Sequence, residues 1–207
     1  NILSITEIGN KVLDVLGAVR GAATLVVLTG GEPFRQNILP LCKHLIGSGF
    51  QIQIETAGSL WVAGLEELIE QGSVSLVCSP KTGKVNLKIQ QHCRHWKYII
   101  NDSEVVEDDG LPNRSTQTPE VLLRLARPPR ATDTVWLQPC EVYDIRKVKL
   151  HHTSTIDSEG DELPDQAVTS KVRDDERSER NIQLAARLAM KFNYRISLQL
   201  HKILGLP

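Results

Sequence analysis

TLVVLTGGEP, residues 24–33, decides how the rest of the chain is read. Its first half is a short apolar run rich in β-branched residues, the pattern of a strand buried on both faces of a parallel sheet. Two adjacent glycines and a proline then stop the strand abruptly around the carboxylate of Glu32. A backbone that tight, with a charge at its opening, raises the question of what the turn makes room for.

The pattern outward from this stretch is regular. Before it, SITEIGNKVLDVLGAV (4–19) carries Ser4 and Glu7 at capping-box spacing, with Ile8, Val12, Val15 and Val19 at helical intervals. After it, ILPLCKHLIGSG (38–49) reads as a helix with Pro40 in its first turn and glycines closing it. FQIQIET (50–56) is a strand, LWVAGLEELIEQG (60–72) a helix, SVSLVCSPK (73–81) a strand and VNLKIQQHCR (85–94) a helix. WKYIIND (96–102) is a strand, TPEVLLRLAR (118–127) a helix with Thr118 as cap, and DTVWLQPCE (133–141) a strand. RNIQLAARLAMKF (180–192) is an amphipathic helix and YRISLQLHK (194–202) the last strand. Strand–helix alternation of this kind predicts an α/β fold with a parallel sheet and crossover helices, in a single domain over 1–207. Residues 142–180 break the rhythm. Their stretch from His151 to Arg180 is dense in charge and lacks aromatic residues, which predicts a solvated, mobile insertion.

Composition narrows the function classes. The 207 residues hold 24 basic and 25 acidic side chains, and 41% are hydrophobic. One substantial core is affordable at that length. A balanced charge argues against a broad grip on nucleic acid or on an anionic membrane, and no apolar run reaches membrane-spanning length. Cys42, Cys78, Cys93 and Cys140 are scattered and form no CxxC pair, which favours a reducing, cytoplasmic setting. SPKTGKV (79–85) lacks P-loop spacing, and His92, Cys93 and His95 do not share one face of a helix.

In parallel α/β folds, ligands bind at the carboxyl edge of the sheet. The strand ends predicted above are Thr29-Gly30-Gly31-Glu32, Glu55-Thr56, Ser79-Pro80-Lys81, Asn101-Asp102, Gln138-Pro139-Cys140-Glu141 and Gln199-Leu200-His201-Lys202. Each has a bland reading as a turn, loop entry or satisfied core residue. Their placement on one edge predicts a polar pocket.

These endings also carry a resemblance. VVLTGGEP (26–33) is similar to a signature that radical S-adenosylmethionine enzymes place on an early barrel strand. With QIETAGS (53–59), VCSPK (77–81), LQPCE (137–141) and RISLQLHKILGLP (195–207), the chain resembles the 7-carboxy-7-deazaguanine synthases of queuosine biosynthesis. The resemblance runs from about Ser4 to Pro207 and is weakest over 142–180. It implies a partial (β/α) radical-SAM barrel. It implies that Gly31, Glu32, Ser79, Pro80, Lys81, Gln138, Pro139, Cys140 and Glu141 bind S-adenosylmethionine. It assigns Thr29, Glu55, His201 and the terminal carboxylate of Pro207 to a pterin substrate. Cys140 and Glu141 stand where the family has Met and Asp, and Ala57 where Asn is frequent.

The reaction so implied converts 6-carboxy-5,6,7,8-tetrahydropterin to 7-carboxy-7-deazaguanine and ammonia. A reduced [4Fe–4S] cluster cleaves S-adenosylmethionine to start it, Mg²⁺ organises the substrate, and the enzyme is a homodimer. The family's three cluster cysteines precede the region that begins here, and none of the four cysteines present has that grouping. The chain, which opens on Asn1, is therefore expected to begin partway through a longer protein. The first barrel strand, the substrate arginine and the Mg²⁺-binding threonine are expected upstream. As it stands the chain holds no metal ligand and is expected to be inactive, with an uncovered sheet edge. Two other readings stay open at this stage: a non-catalytic S-adenosylmethionine-binding module, and a radical enzyme acting on another small molecule.

Overall fold

A computed structural model describes residues 3–16, 25–102, 105–116, 124–149 and 167–199. Its centre is a six-stranded parallel sheet. The strands are β1 (Leu25–Leu28), β2 (Gln51–Thr56), β3 (Val74–Cys78), β4 (His95–Ile100), β5 (Thr134–Pro139) and β8 (Arg195–Ile196), in that spatial order. β6 (Val142–Lys149) and β7 (Ala167–Asp174) form a separate antiparallel pair. The helices are α1 (Ile5–Leu16), α2 (Leu39–Gly47), α3 (Leu65–Glu70), α4 (Leu87–His92) and α5 (Asp175–Phe192).

The strand order never reverses, and that fact sets the architecture. Right-handed crossovers between strands added always on the same side place every helix on one face of the sheet. A doubly wound sheet would reverse and cover both faces; this one winds in one direction, as barrels do. The burial pattern agrees. On the helix-covered face Ile52, Ile54, Leu76, Trp96, Tyr98, Ile100 and Leu137 are buried against Leu45, Leu65, Ile89 and Ala185. The opposite face carries Gln53, Glu55, Ser75, His95, Lys97 and Trp136, none of them fully buried, around the buried Val77. Period-two alternation thus makes one face a core and the other a polar trough.

Local chemistry explains the helix ends. Ser4 and Glu7 form the predicted capping box: the Ser4 amide and hydroxyl both donate to Glu7 Oε2 at 2.7 Å, and the Glu7 amide donates to Ser4 Oγ at 3.3 Å. Asn86 caps α4 through Lys88 N at 2.9 Å, and Asp174 caps α5 through Arg177 N at 2.9 Å. α5 ends at Asn193, in the left-handed conformation at φ 55°.

Several expectations need correction. β1 is not buried on both faces. Among the described residues its one strand neighbour is β2, and Leu25 and Val27 are 51% and 42% exposed on the uncovered side. The apolar stripe of α1 is only partly covered, with Val15 exposed. Residues 167–180, read as part of a solvated insertion, form β7 and the start of α5. Backbone pairing with β6 and capping by Asp174 organise that segment. The helix predicted at 60–72 is confined to α3, because Gly64 sits at φ 87° and only the chain after it can wind. Of the helix predicted at 118–127, residues 124–127 are irregular and the rest lie outside the described residues. The last strand is two residues long, extended by Ser197 N donating to Leu137 O at 2.9 Å.

Candidate functional site

At the carboxyl edge the chain beyond β1 turns through Gly30 and Gly31, at φ 90° and 55°. Glycine adopts such angles without strain. A Cβ built at either would meet no atom within 4 Å, so both glycines border open space rather than packed protein. Glu32 closes the turn. Its Oε1 accepts from Thr56 Oγ1 at 2.7 Å and from the Phe34 amide at 3.2 Å, and its Oε2 accepts from the Ala57 amide at 2.8 Å. The carboxylate therefore ties the Gly-Gly turn to the end of β2. A carboxylate has about four lone-pair sites, so one on Oε2 is left for a further donor.

The cleft beside this turn is bordered by the ends of β1 to β5 and by Gln199. It brings together Thr29, Gly31, Glu55, Ser79, Lys81 and Gln138 from the sequence-predicted set. Pro80 lies in an adjoining recess shared with Ser79, Lys81 and Lys97. Pro139, Cys140 and Glu141 line a second recess that shares Gln138 and Gln199 with the cleft. Glu32 joins the group through its turn rather than as part of the cleft wall. His201 and Pro207 lie outside the described residues.

Charge in the cleft is concentrated on three side chains. Lys97 Nζ stands 2.6 Å from Glu55 Oε2, and Thr29 Oγ1 approaches the same oxygen at 3.4 Å. Lys81 Nζ donates to Ser79 Oγ at 3.3 Å. Burial, and then the neighbouring Lys97 charge, hold the Lys81 ammonium below the usual lysine range. Deeper in the trough, His95 keeps a buried Nδ1 without a hydrogen-bond partner, and its pKa is lowered by burial and then by Arg195. That guanidinium lies over the Trp136 ring at 5.2 Å.

Three residues support the site; Thr56 is among the predicted strand ends, whereas the other two escaped the sequence reading. Thr56, 3% exposed, anchors Glu32 and also accepts from the Gly58 amide at 3.0 Å. Asn181, fully buried on α5, accepts from Asp102 N at 2.8 Å and donates to Cys140 O at 2.8 Å, fixing the loops after β4 and β5 together. Lys97 is the third. A lysine in mid-strand between Trp96 and Tyr98 was the available signal, since a charge there must face the ligand side of the sheet.

The described residues do not fit an iron–sulfur cluster. Cys42, Cys78 and Cys93 are buried, with thiol pKa values pushed up chiefly by burial, and no group of three or more His, Cys, Asp or Glu suited to a metal occurs among them. They do fit a zwitterionic small molecule: open glycine backbone, a spare carboxylate lone pair, and a lysine and a serine opposite.

Fold and cleft together define a singly wound, barrel-type α/β architecture with a polar cleft at its strand ends. Comparison with known proteins narrows this. A 7-carboxy-7-deazaguanine synthase of Rhodospirillum rubrum is 37% identical over 180 residues, which is 87% of this chain and 64% of the relative. A 7-carboxy-7-deazaguanine synthase of Rickettsia prowazekii is 30% identical over 99% of this chain and 70% of its own length. The crystal structure of QueE from Escherichia coli aligns over 92% of this chain and 63% of its own, with 20% identity and a TM-score of 0.46. No family model matches. The chain belongs to the 7-carboxy-7-deazaguanine synthase family and spans about two thirds of the length of the curated relatives it matches.

Proposed function

We propose that this chain is the ligand-binding portion of a 7-carboxy-7-deazaguanine synthase. The whole protein would be a radical S-adenosylmethionine lyase that converts 6-carboxy-5,6,7,8-tetrahydropterin to 7-carboxy-7-deazaguanine and ammonia for queuosine biosynthesis. The observation that carries this reading is the meeting of Thr29, Gly31, Glu55, Ser79, Lys81 and Gln138 around one cleft.

In this reading Gly30 and Gly31 would border the cofactor's methionine end, and the spare lone pair of Glu32 would accept from its ammonium. Charge-assisted bonds of that kind are about twice as strong as neutral ones. Ser79, Pro80 and Lys81 border its other side, and Gln138 to Glu141 close the recess next to it. S-adenosylmethionine, when bound, supplies the reactive group that initiates the reaction. The chain's own residues orient it and exclude water. Glu55 and Thr29 hold the pterin, joined by His201 and Pro207. The [4Fe–4S] cluster and Mg²⁺ belong to the proposed reaction, but no described residue is assigned to either. The assembly would be a cytoplasmic homodimer without a nucleic-acid or membrane partner; no helix among the described residues is long and apolar enough to cross a membrane.

Calorimetric titration of S-adenosylmethionine into the complete polypeptide tests the cofactor half of this reading. Saturable binding that Gly31→Val abolishes, with the circular dichroism spectrum unchanged, is the expected result. Undiminished binding by that variant would contradict the assignment.

A further inference from the structure

The ion pair between β2 and β4 does more than neutralise charge. Glu55 and Lys97 are not on neighbouring strands: β3 runs between them, and Lys97 reaches across it to Glu55 Oε2 at 2.6 Å. Side-chain exposures of 15% for Lys97 and 25% for Glu55 leave both in contact with the cleft. Glu55 Oε2 is taken by Lys97 and Thr29, while no donor among the described residues reaches Oε1. The lysine ammonium has three N–H donors and uses one on Glu55. The cleft wall therefore presents an acceptor directly beside a donor, each with unused capacity and each fixed by the other.

That pairing is complementary to a ring edge offering a donor beside an acceptor, which is the lactam N–H and C=O of an oxo-substituted pyrimidine. Resting on the functional reading above, we propose that Lys97 is a specificity-determining residue of the substrate site. It donates to the ring oxo oxygen while Glu55 Oε1 accepts from the adjacent ring N–H and amino group. An ammonium held this way would reject a ring without the oxo group, because a partly buried charge would lose its ligand partner. Holding Glu55 in place is the second consequence: without Lys97 the carboxylate loses the contact that leaves Oε1 facing the ligand.

The test is titration of the complete protein with 7-carboxy-7-deazaguanine and with its analogue lacking the ring oxo group. The wild type should bind the oxo compound about 10- to 100-fold more tightly, the range expected for one hydrogen bond to a charged group. In Lys97→Met that preference should fall to within about threefold and in Lys97→Arg be partly restored. A wild type that binds both compounds alike overturns the proposal without any variant, so a poorly folding variant does not shelter it. Retained preference in Lys97→Met also overturns it. A wild type that binds neither compound would instead refute the functional reading itself.

Discussion

The hydroxyl of Thr56 donates to Glu32 Oε1 at 2.7 Å, joining the turn after β1 to the last residue of β2. Two backbone amides, Phe34 and Ala57, complete the hold on that carboxylate. The glutamate in the opening sequence stretch is thus first a fastener for its own loop, and the proposed ammonium contact uses what remains. Glu32→Gln keeps the shape but replaces one acceptor oxygen with a donor that faces an amide or a hydroxyl. Thr56→Val removes the hydroxyl from a buried site. Each should cost about 1–3 kcal/mol in urea denaturation and weaken S-adenosylmethionine binding. Stability loss in Thr56→Val with undiminished binding would show that the turn does not shape the cofactor site.

Gly58 follows the same strand at φ 81°, and a Cβ there would lie 2.7 Å from the buried Cys78 sulfur. Gly58→Ala therefore combines a disfavoured backbone with a clash in the core. A loss of at least about 1–3 kcal/mol is expected from the backbone conformation. By contrast, Gly30→Ala meets no neighbour and should show only the backbone penalty. Comparing the two denaturation midpoints separates the causes.

Asn181 is placed to couple α5 to the site. Asn181→Leu would remove the hydrogen bonds to the Asp102 amide and the Cys140 carbonyl, at about 1–3 kcal/mol each. Because Cys140 directly follows Gln138 and Pro139 at the end of β5, cofactor affinity should fall as well. Thermal denaturation with and without S-adenosylmethionine checks both effects in one experiment.

Acid stability should have an identifiable contributor in Asp109. Burial would raise its pKa, but hydrogen bonds from Arg127, the Leu111 amide and Arg124, with the Arg127 charge, together hold it below the usual aspartate range. A depressed folded pKa means stability that is present above the unfolded value, about pH 4, and lost as the pH falls through the folded pKa. The difference in unfolding free energy between wild type and Asp109→Asn should therefore shrink below pH 4 and stay constant from pH 5 to 7. A difference independent of pH would assign Asp109 a packing role only.

The sheet and its ligand edge were largely legible in the sequence, because parallel strands are short apolar runs and their ends are punctuated by Gly, Pro and charge. Gly31, Glu55, Ser79, Lys81 and Gln138 meet at the cleft because sequential winding brings successive strand ends side by side. What escaped was whatever depends on partners distant in sequence. Asn181 looks like one polar residue on an amphipathic helix until its contacts with Asp102 and Cys140 are seen. β1 resembles a central strand because its composition does not record how many neighbours it has. β7 carries no apolar pattern to announce it, since backbone pairing with β6 organises it.

The most direct test of the account is product formation by the complete polypeptide containing this chain. The protein would be purified anaerobically, its cluster reconstituted, and reductant, S-adenosylmethionine, Mg²⁺ and 6-carboxy-5,6,7,8-tetrahydropterin supplied, with products followed by mass spectrometry. The account predicts 7-carboxy-7-deazaguanine together with 5′-deoxyadenosine, and loss of the deazaguanine in Glu55→Ala. A folded, cofactor-binding protein that forms neither product would contradict it, and 5′-deoxyadenosine without the deazaguanine would place the cleft with a different substrate.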